Sequence, residues 1–244
     1  MGHTFKGMAH AILRKLTGFD IVRYSSFNFN QLRRSQLLSK TGIGCVIDVG
    51  ANNGQYGREL RAAGYRGRIV SFEPLSHALA ELSAQAARDP LWICRKAAMG
   101  DRNCRTAINV AGNSVSSSIL PMLAAHSDAA PESRYVATED VAMVTLEAVF
   151  PEVASEGDNI WLKLDVQGFE KQVLDGAGKA LDKVCAIEME LTMTPLYENQ
   201  TLYMDMIQRL ARSGFSLAMI NPGLRDPRSG LLLQADGIFL RQEF

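Results

Sequence analysis

The stretch VIDVGANNGQY, residues 46–56, constrains this 244-residue chain more than any other. Val46, Ile47 and Val49 form a short apolar run of the kind found in parallel strands buried on both faces. The run then breaks into Gly50, Ala51 and Gly54, and a helical pattern begins at Gln55. Glycine there lets the backbone bend sharply and approach a ligand at the carboxyl end of the strand, which is where open parallel sheets bind nucleotides. A tight strand-to-helix turn that holds no ligand is the alternative.

The pattern around this turn alternates strands and helices. Residues 24–42, YSSFNFNQLRRSQLLSKTG, predict a helix that ends near Gly42, and residues 55–63 predict another that closes at Gly64. RIVSFEP follows, with Ile69, Val70 and Phe72 as a second strand and Glu73 at its carboxyl end, before a helix over 76–87. LWICRKAAM, 91–99, reads as a third strand stopped by Gly100 and Asp101. Residues 103–148 then interrupt the rhythm: a Ser/Asn/Gly-rich segment, a small and polar segment at 124–139, and the strand-like VAMVTLEAVF before Pro151 predict a hairpin-like insertion with a flexible part. In NIWLKLDVQGFEKQVLDGA, Trp161, Leu162 and Leu164 continue the sheet, Asp165 ends the strand, Gly168 permits a turn, and 169–181 is helical. VCAIEMEL is a fifth strand, 201–212 is a helix ending at Gly214, and FSLAMINPG and ADGIFLR are two closing strands whose short connection makes them antiparallel.

Charge and cysteine usage set the context. The chain carries 26 Lys+Arg and 26 Asp+Glu. Residues 1–40 hold seven of the basic residues against Asp20 alone, 7 − 1 = +6, so the remainder carries −6. This basic extension, residues 1–42, has Phe5, Met8, Ile12, Leu13 and Leu16 at near-helical spacing. It reads as a helix packed on the domain with its basic face solvated, or as a segment lying on an anionic membrane or an acidic partner. Cys45, Cys94, Cys104 and Cys185 form no CxxC pair, which fits a reducing compartment. No apolar run reaches the roughly 18 residues of a membrane span, and Arg14 and Lys15 interrupt any secretory block, so the expected location is cytoplasmic. The four histidines show no metal-ligand spacing, and neither HExxH nor GxSxG occurs. His126, within the insertion, reads as a solvated loop residue or a general base.

The turn also discriminates between nucleotides. A dinucleotide fingerprint GxGxxG starting at Gly50 requires glycine at Asn52 and Gln55, and neither is glycine. A cofactor with no phosphate at that point needs only the bend and an acidic group, and Glu73 is placed to accept both hydroxyls of a ribose, or else to cap the next helix. S-adenosylmethionine meets that description. Asp165, at the carboxyl edge of its strand, is placed to take a proton from an attacking hydroxyl, to help hold a divalent metal, or merely to cap a helix. Glu188 and Glu190 share one face of a strand otherwise buried on both sides, so at least one should meet a polar cleft. Lys163 faces the side opposite Leu162 and Leu164, with its role open. Asn113, Ser114 and Ser116 to Ser118 are candidate hydrogen-bonding groups for a polyhydroxylated substrate, and Tyr197, Glu198 and Asn199 are candidate substrate-side groups.

Taken together, DVGANNGQY, FEP at 72–74, AAMGD at 97–101, the serines at 116–118, LKLDVQGFE at 162–170 and IEMEL resemble the FkbM family of methyltransferases over about 46–241. The resemblance implies an α/β, Rossmann-like class I methyltransferase fold at 43–244: a mostly parallel seven-stranded sheet, helices on both faces and an antiparallel closing strand. It implies S-adenosylmethionine as methyl donor and O-methylation of a sugar or polyketide hydroxyl. Carried over by motif, Gly50, Asn52 and Asn53 line the methionine end, Glu73 the ribose, Ala97 and Ala98 the adenine side, and Asp165 stands beside the reacting centre, with Glu188 or Glu190 as helper. At Gln167 the family more often has an acidic residue, which leaves a metal site open to question. The expected partner is a hydroxylated small molecule or glycolipid, with peripheral membrane contact through the basic arm. Nucleic acid is disfavoured because the chain has no overall basic charge. A NAD-dependent oxidoreductase and a non-catalytic cofactor-binding module are the other classes.

Overall fold

The computed structural model describes residues 15–19 and 30–242. The arm helix expected from Phe5, Met8, Ile12 and Leu13 lies outside the described residues, as does the first part of the helix expected over 24–42. The described part of that helix is α1 (Asn30–Lys40). It is packed into the domain through Leu38, which is buried among Val46, Leu60 and Trp161.

The turn at residue 50 joins β1 (Cys45–Val49) to α2 (Gln55–Ala62), followed by β2 (Arg68–Phe72), α3 (Ser76–Ala86) and β3 (Trp92–Arg95). After the insertion come β7 (Ile160–Leu164), α6 (Glu170–Asp175), β8 (Val184–Thr192), α7 (Tyr203–Arg212), β9 (Phe215–Pro222) and β10 (Gln234–Arg241). The seven strands lie in the order β3-β2-β1-β7-β8-β10-β9. β1 pairs in parallel with both β2 and β7, and β7 with β8. Only β10 runs against its neighbours β8 and β9, as the short connection required. Chain order reverses direction between β1 and β7, and at such a switch point the strand ends leave a crevice.

Strand alternation sends successive side chains to opposite faces. Ile47, Leu162 and Ile187 pack on one side with Leu146, Val173 and Leu210. Val46, Trp161 and Ala186 pack on the other with Leu38, Leu60 and Leu82. Both faces are therefore covered, and polar residues at the strand ends converge on the crevice.

The insertion departs from expectation in three places. The third strand is two: after β3 the chain turns at Lys96, where Ala97 N–H donates back to the Arg95 carbonyl at 3.2 Å, and Ala98–Met99 (β4) joins a second sheet. That sheet, in the order β4-β6-β5, is built on the antiparallel hairpin of β5 (Cys104–Ala111) and β6 (Tyr135–Val144). The segment expected to be flexible forms α4 (Ala124–Ala129), a 3-10 turn and the start of β6. VAMVTLEAVF is not one strand either. β6 stops at Val144, and the Thr145 hydroxyl accepts the Ala148 N–H at 3.2 Å to start α5 (Leu146–Val153), which has Pro151 inside it. Leu146, Val149, Phe150 and Val153 follow the i, i+3, i+4, i+7 spacing of a helix face, and that pattern outweighs the shorter alternation.

A fourth difference lies after β7. The helix expected over 169–181 breaks at Gly176 into α6 and a 3-10 segment at Gly178–Lys183. A Cβ on Gly176 would stand 1.9 Å from the Gly100 carbonyl oxygen, so the chain passes the insertion there only as glycine. No helix among the described residues is long and apolar enough to cross a membrane.

Candidate active site

The turn after β1 is held by backbone geometry. Gly50 has φ +80°, and a Cβ there would lie 1.9 Å from the Asp165 carbonyl oxygen, so glycine is required both for the conformation and for bringing the ends of β1 and β7 together. The N–H groups of Gly50 and Ala51 both donate to the Phe72 carbonyl, at 3.0 and 3.1 Å, tying the turn to β2. Asn52, at φ +46°, donates its N–H to Glu73 Oε2 at 2.8 Å. Glu73 Oε1 accepts the N–H of Leu75, the cap residue of α3, at 2.8 Å. Glu73 thus serves the helix start and the site wall at once. Burial pushes its carboxyl up to about 7, against the pull of these two N–H donors.

This geometry opens a pocket walled by Gly50, Asn52, Glu73, Ala97, Ala98 and Asp165. Six of the seven residues expected to bind cofactor are brought to one cavity. Asn53 lies on the turn beside it, its N–H donating to Asn52 Oδ1 at 2.8 Å. Leu75, Met99, Ile108 and Phe169 make the opposite wall apolar.

At the other end, Asp165 is held from both sides. Lys163 Nζ stands 3.2 Å from its Oδ2, and Gln167 Nε2 donates to its Oδ1 at 2.8 Å. The same amide nitrogen donates to Glu190 Oε2 at 2.9 Å, and its oxygen accepts the Tyr197 hydroxyl at 2.7 Å. Gln167 takes up this bridging position at φ +52°, a left-handed conformation rare outside glycine and asparagine. Asp165 does not cap α6. Glu170 Oε1 accepts the N–H groups of Val166 and Gly168 instead, both at 3.2 Å.

The two glutamates on the shared face of β8 have different employment. Glu188 accepts from Arg34 at 3.2 Å, from the Tyr56 hydroxyl at 2.6 Å and from Trp161 Nε1 at 3.2 Å, all on the α1 side of the sheet. Glu190 stays with Asp165, receiving Gln167 and, at 3.1 Å, Gln234. Burial, reinforced by Asp165 and Glu170, raises its carboxyl well above the ordinary range.

The insertion's polar residues are spent on shaping their own loop. Asn113 and Ser116 bond each other, the Ser117 hydroxyl donates to the Ser114 carbonyl at 2.7 Å, and the Ser118 hydroxyl donates to the Gln167 carbonyl at 2.7 Å. The Ser114 hydroxyl accepts Asn52 Nδ2 at 2.7 Å, which fastens the loop across the cofactor turn. His126 is not a solvated residue: it is buried, lies edge-on to Tyr197 with ring centres 5.1 Å apart, and burial lowers its pKa. Tyr197 is buried, while Glu198 and Asn199 are exposed.

The sequence matches the methyltransferase FkbM domain over residues 48–217, more than half of the chain. The chain belongs to the FkbM methyltransferase family. A search of the curated proteins finds no match. Among solved structures, a protein of Thermobifida fusca taken to be a methyltransferase aligns with a TM-score of 0.50 at 10% identity, over 87% of this chain and 79% of that one. Fibrillarin of Aeropyrum pernix, with natively bound S-adenosyl-L-methionine, aligns at 0.46 and 13% identity over 85% and 74%. TehB of Haemophilus influenzae aligns at 0.48 and 9% identity over 95% and 66%.

S-adenosylmethionine is therefore the methyl donor of this FkbM methyltransferase, and the cavity fits it. Glycine at residue 50 lets the backbone of Asp165 close on the turn, a buried carboxylate, Glu73, stands on the cavity wall at the end of the next strand, and Leu75, Met99, Ile108 and Phe169 give the cavity apolar lining. Among the described residues no group of three or more His, Cys, Asp or Glu is placed to hold a metal ion. Tyr197 reaches Gln167 across 30 residues and Arg34 reaches Glu188 across 154, so neither link showed in the sequence; Gln167 lies only two residues from Asp165, but its left-handed turn was signalled only by the adjacent Gly168.

Proposed function

We propose that this FkbM methyltransferase transfers the methyl group to a hydroxyl of a sugar, carried on a glycolipid or a glycosylated natural product. The observation that carries the reading is Asp165, which walls the adenosyl pocket and also a second, charged cavity on the other side of Gly50. The donor supplies an electrophilic sulfonium methyl when bound. Asp165 then takes the proton of the attacking hydroxyl, and Lys163 and Gln167 keep its carboxylate aimed. Glu190, whose carboxyl burial raises well above the ordinary range, is tied to Asp165 through Gln167 and is placed to help hold a neighbouring sugar oxygen. Much of the acceleration comes from holding the two reactants in line.

A lipid-borne acceptor is supported by the amino-terminal charge of +6 over residues 1–40 and by Leu16 and Phe19, which are 79% and 76% exposed. Basic charge beside exposed apolar residues suits an anionic membrane face. Labelled S-adenosylmethionine incubated with cellular lipid, sugar and small-molecule extracts, with and without chelator, tests the proposal. Label in a glycolipid is expected, and Asp165→Asn should lose it by a hundredfold or so while still binding S-adenosylhomocysteine. Label only in nucleic acid or peptide would overturn the acceptor, and undiminished transfer by the variant would remove Asp165 as the base.

A further inference from the structure

Lys163 stands among four carboxylates, those of Asp165, Asp48, Glu188 and Asp236, and pairs with Asp165 at 3.2 Å. Its direct ladder partners are instead Asp48 on β1 and Glu188 on β8. Partners across a parallel ladder share a face of the sheet, on strands about 4.8 Å apart, so the long side chain of a lysine reaches either of them. Among the described residues neither of those ion pairs forms. Which carboxylate takes the ammonium is therefore decided by what the others already hold.

Asp48 accepts the Ser71 hydroxyl at 3.0 Å. Glu188, 4% exposed, is filled more completely. Its Oε2 accepts the Tyr56 hydroxyl at 2.6 Å and Trp161 Nε1 at 3.2 Å, and its Oε1 accepts an Arg34 N–H at 3.2 Å. Tyr56 and Trp161 are neutral donors, so among the described residues Arg34 supplies the positive charge paired with Glu188. Arg34 is itself fixed, because its other terminal nitrogen pairs with Glu59 of α2 at 2.6 Å and its guanidinium lies 4.9 Å over the Tyr56 ring. Lys163 stands 5.3 Å over that same ring, and it is the other cation of the charged cavity. A buried carboxylate stripped of its partner is strongly destabilising. Without Arg34, the charge of Glu188 draws on Lys163.

We propose that Arg34 is a positioning residue for methyl transfer: by occupying Glu188 it leaves Lys163 to Asp165. This rests on the reading of Asp165 as the base. The planar arginine fork suits the task, since two of its nitrogens serve Glu188 and Glu59 at once, whereas a lysine is a single point charge. Arg34 precedes the family-matched segment 48–217, so α1 belongs to the working site as well as covering the sheet.

Crystal structures and a transfer assay on the full chain test it. In Arg34→Met, Lys163 Nζ should lie within ion-pair distance of Glu188 and away from Asp165. Label transfer from S-adenosylmethionine into a combined cellular lipid, sugar and small-molecule extract should slow by roughly tenfold or more, the effect of a displaced reacting group, while S-adenosylhomocysteine affinity changes by less than about threefold in calorimetry. Adding Glu188→Gln removes the competing charge. The double variant should return Lys163 to Asp165 and restore most of the lost transfer. A residue that only fastens α1 gives the opposite result, because the second substitution then adds to the damage. Arg34→Lys keeps the charge but not the fork; it should lie between, be restored by the same second substitution, and cover the case in which Arg34→Met does not fold. Lys163 still on Asp165 in Arg34→Met, transfer unchanged by it, or a loss that Glu188→Gln does not restore would overturn the inference. Undiminished transfer by Asp165→Asn would overturn the base reading instead, a separate outcome on a separate variant.

Discussion

The two cavities that meet at Gly50 are built by opposite means. The Glu73 side is made of backbone: a left-handed glycine, paired N–H donors on the Phe72 carbonyl, and one carboxylate receiving two more N–H groups. The other side is made of buried charge, with Asp48, Lys163, Asp165, Glu188 and Asp236 from four strands in one space. Backbone geometry is dictated by neighbours in sequence, whereas a charge cluster is assembled only when the sheet forms. The first kind of site tolerates almost no change at a few positions, and the second spreads its sensitivity over many.

The largest effect should come from the backbone side. Gly50→Ala adds roughly 1–2 kcal/mol for a left-handed alanine and an overlap with the Asp165 carbonyl that the strands can relieve only by separating. A loss of roughly 4 kcal/mol or more in urea unfolding is expected, which is exceptional for a single substitution. Gly64→Ala is the control. Gly64 has φ +93° with nothing within 4 Å of its missing Cβ, so it should lose only about 1–2 kcal/mol. Equal losses would show that conformation alone, and not the close approach of β1 to β7, makes Gly50 necessary.

Next in size is the pH dependence carried by Glu73. Its carboxyl is raised by burial from 4.5 to about 7, so between those values the folded form binds more protons than the unfolded chain. Stability from this group is therefore full below pH 4.5 and is lost as pH rises through about 7, by up to about 3 kcal/mol. Thermal unfolding of the cofactor-free protein from pH 4.5 to 8 should show that downward slope, and Glu73→Gln should flatten it whatever it does to the absolute value. An unchanged slope in the variant would remove Glu73 as its source and leave Glu170, raised to about 7, and Asp48 and Asp236, raised to about 6 by burial.

The same contrast explains what could be read in the sequence. Gly50, Glu73 and Asp165 were legible because each ends an apolar run, and the end of a run fixes a place on the carboxyl edge. The ladder order could not be seen, so Glu188 and Glu190 looked alike; only the packing of α1 gives Glu188 to Arg34 and leaves Glu190 to Gln167. The serines at 116–118 looked available for substrate because composition does not show that the Ser117 hydroxyl is used on the loop itself and the Ser118 hydroxyl on the Gln167 carbonyl. In the helix after Phe169 the break at Gly176 was invisible because its cause is Gly100, 76 positions earlier in a different sheet layer.

On the charged side, Gln167→Glu should cost less than Gly50→Ala but disturb more groups. It removes the amide donors to Asp165 and Glu190 and sets a third carboxylate between them. Roughly 2 kcal/mol of stability should go, the penalty of leaving buried acceptors unsatisfied, and labelled methyl transfer should fall further than S-adenosylhomocysteine affinity. Proportionate losses in all three would mean that Gln167 only holds the loop to Tyr197.

The smallest effect belongs where the two kinds of construction touch. Asn52 is fixed by the turn, and its amide reaches the Ser114 hydroxyl of the insertion at 2.7 Å. Ser114 also lines the cavity beside Glu73, so this hydrogen bond ties the insertion across that cavity. Ser114→Ala keeps the loop's other hydrogen bonds, including Ser117 to the Ser114 carbonyl, because that bond uses the backbone. Stability should change by about 1 kcal/mol or less, the net worth of one partly exposed hydrogen bond. Stopped-flow release of S-adenosylhomocysteine should nevertheless quicken several-fold, since the bond lost is the one that ties the loop to the turn after β1. A release rate equal to wild type would show that the cofactor leaves by another path, past the charged side, and that the insertion is a fixed wall.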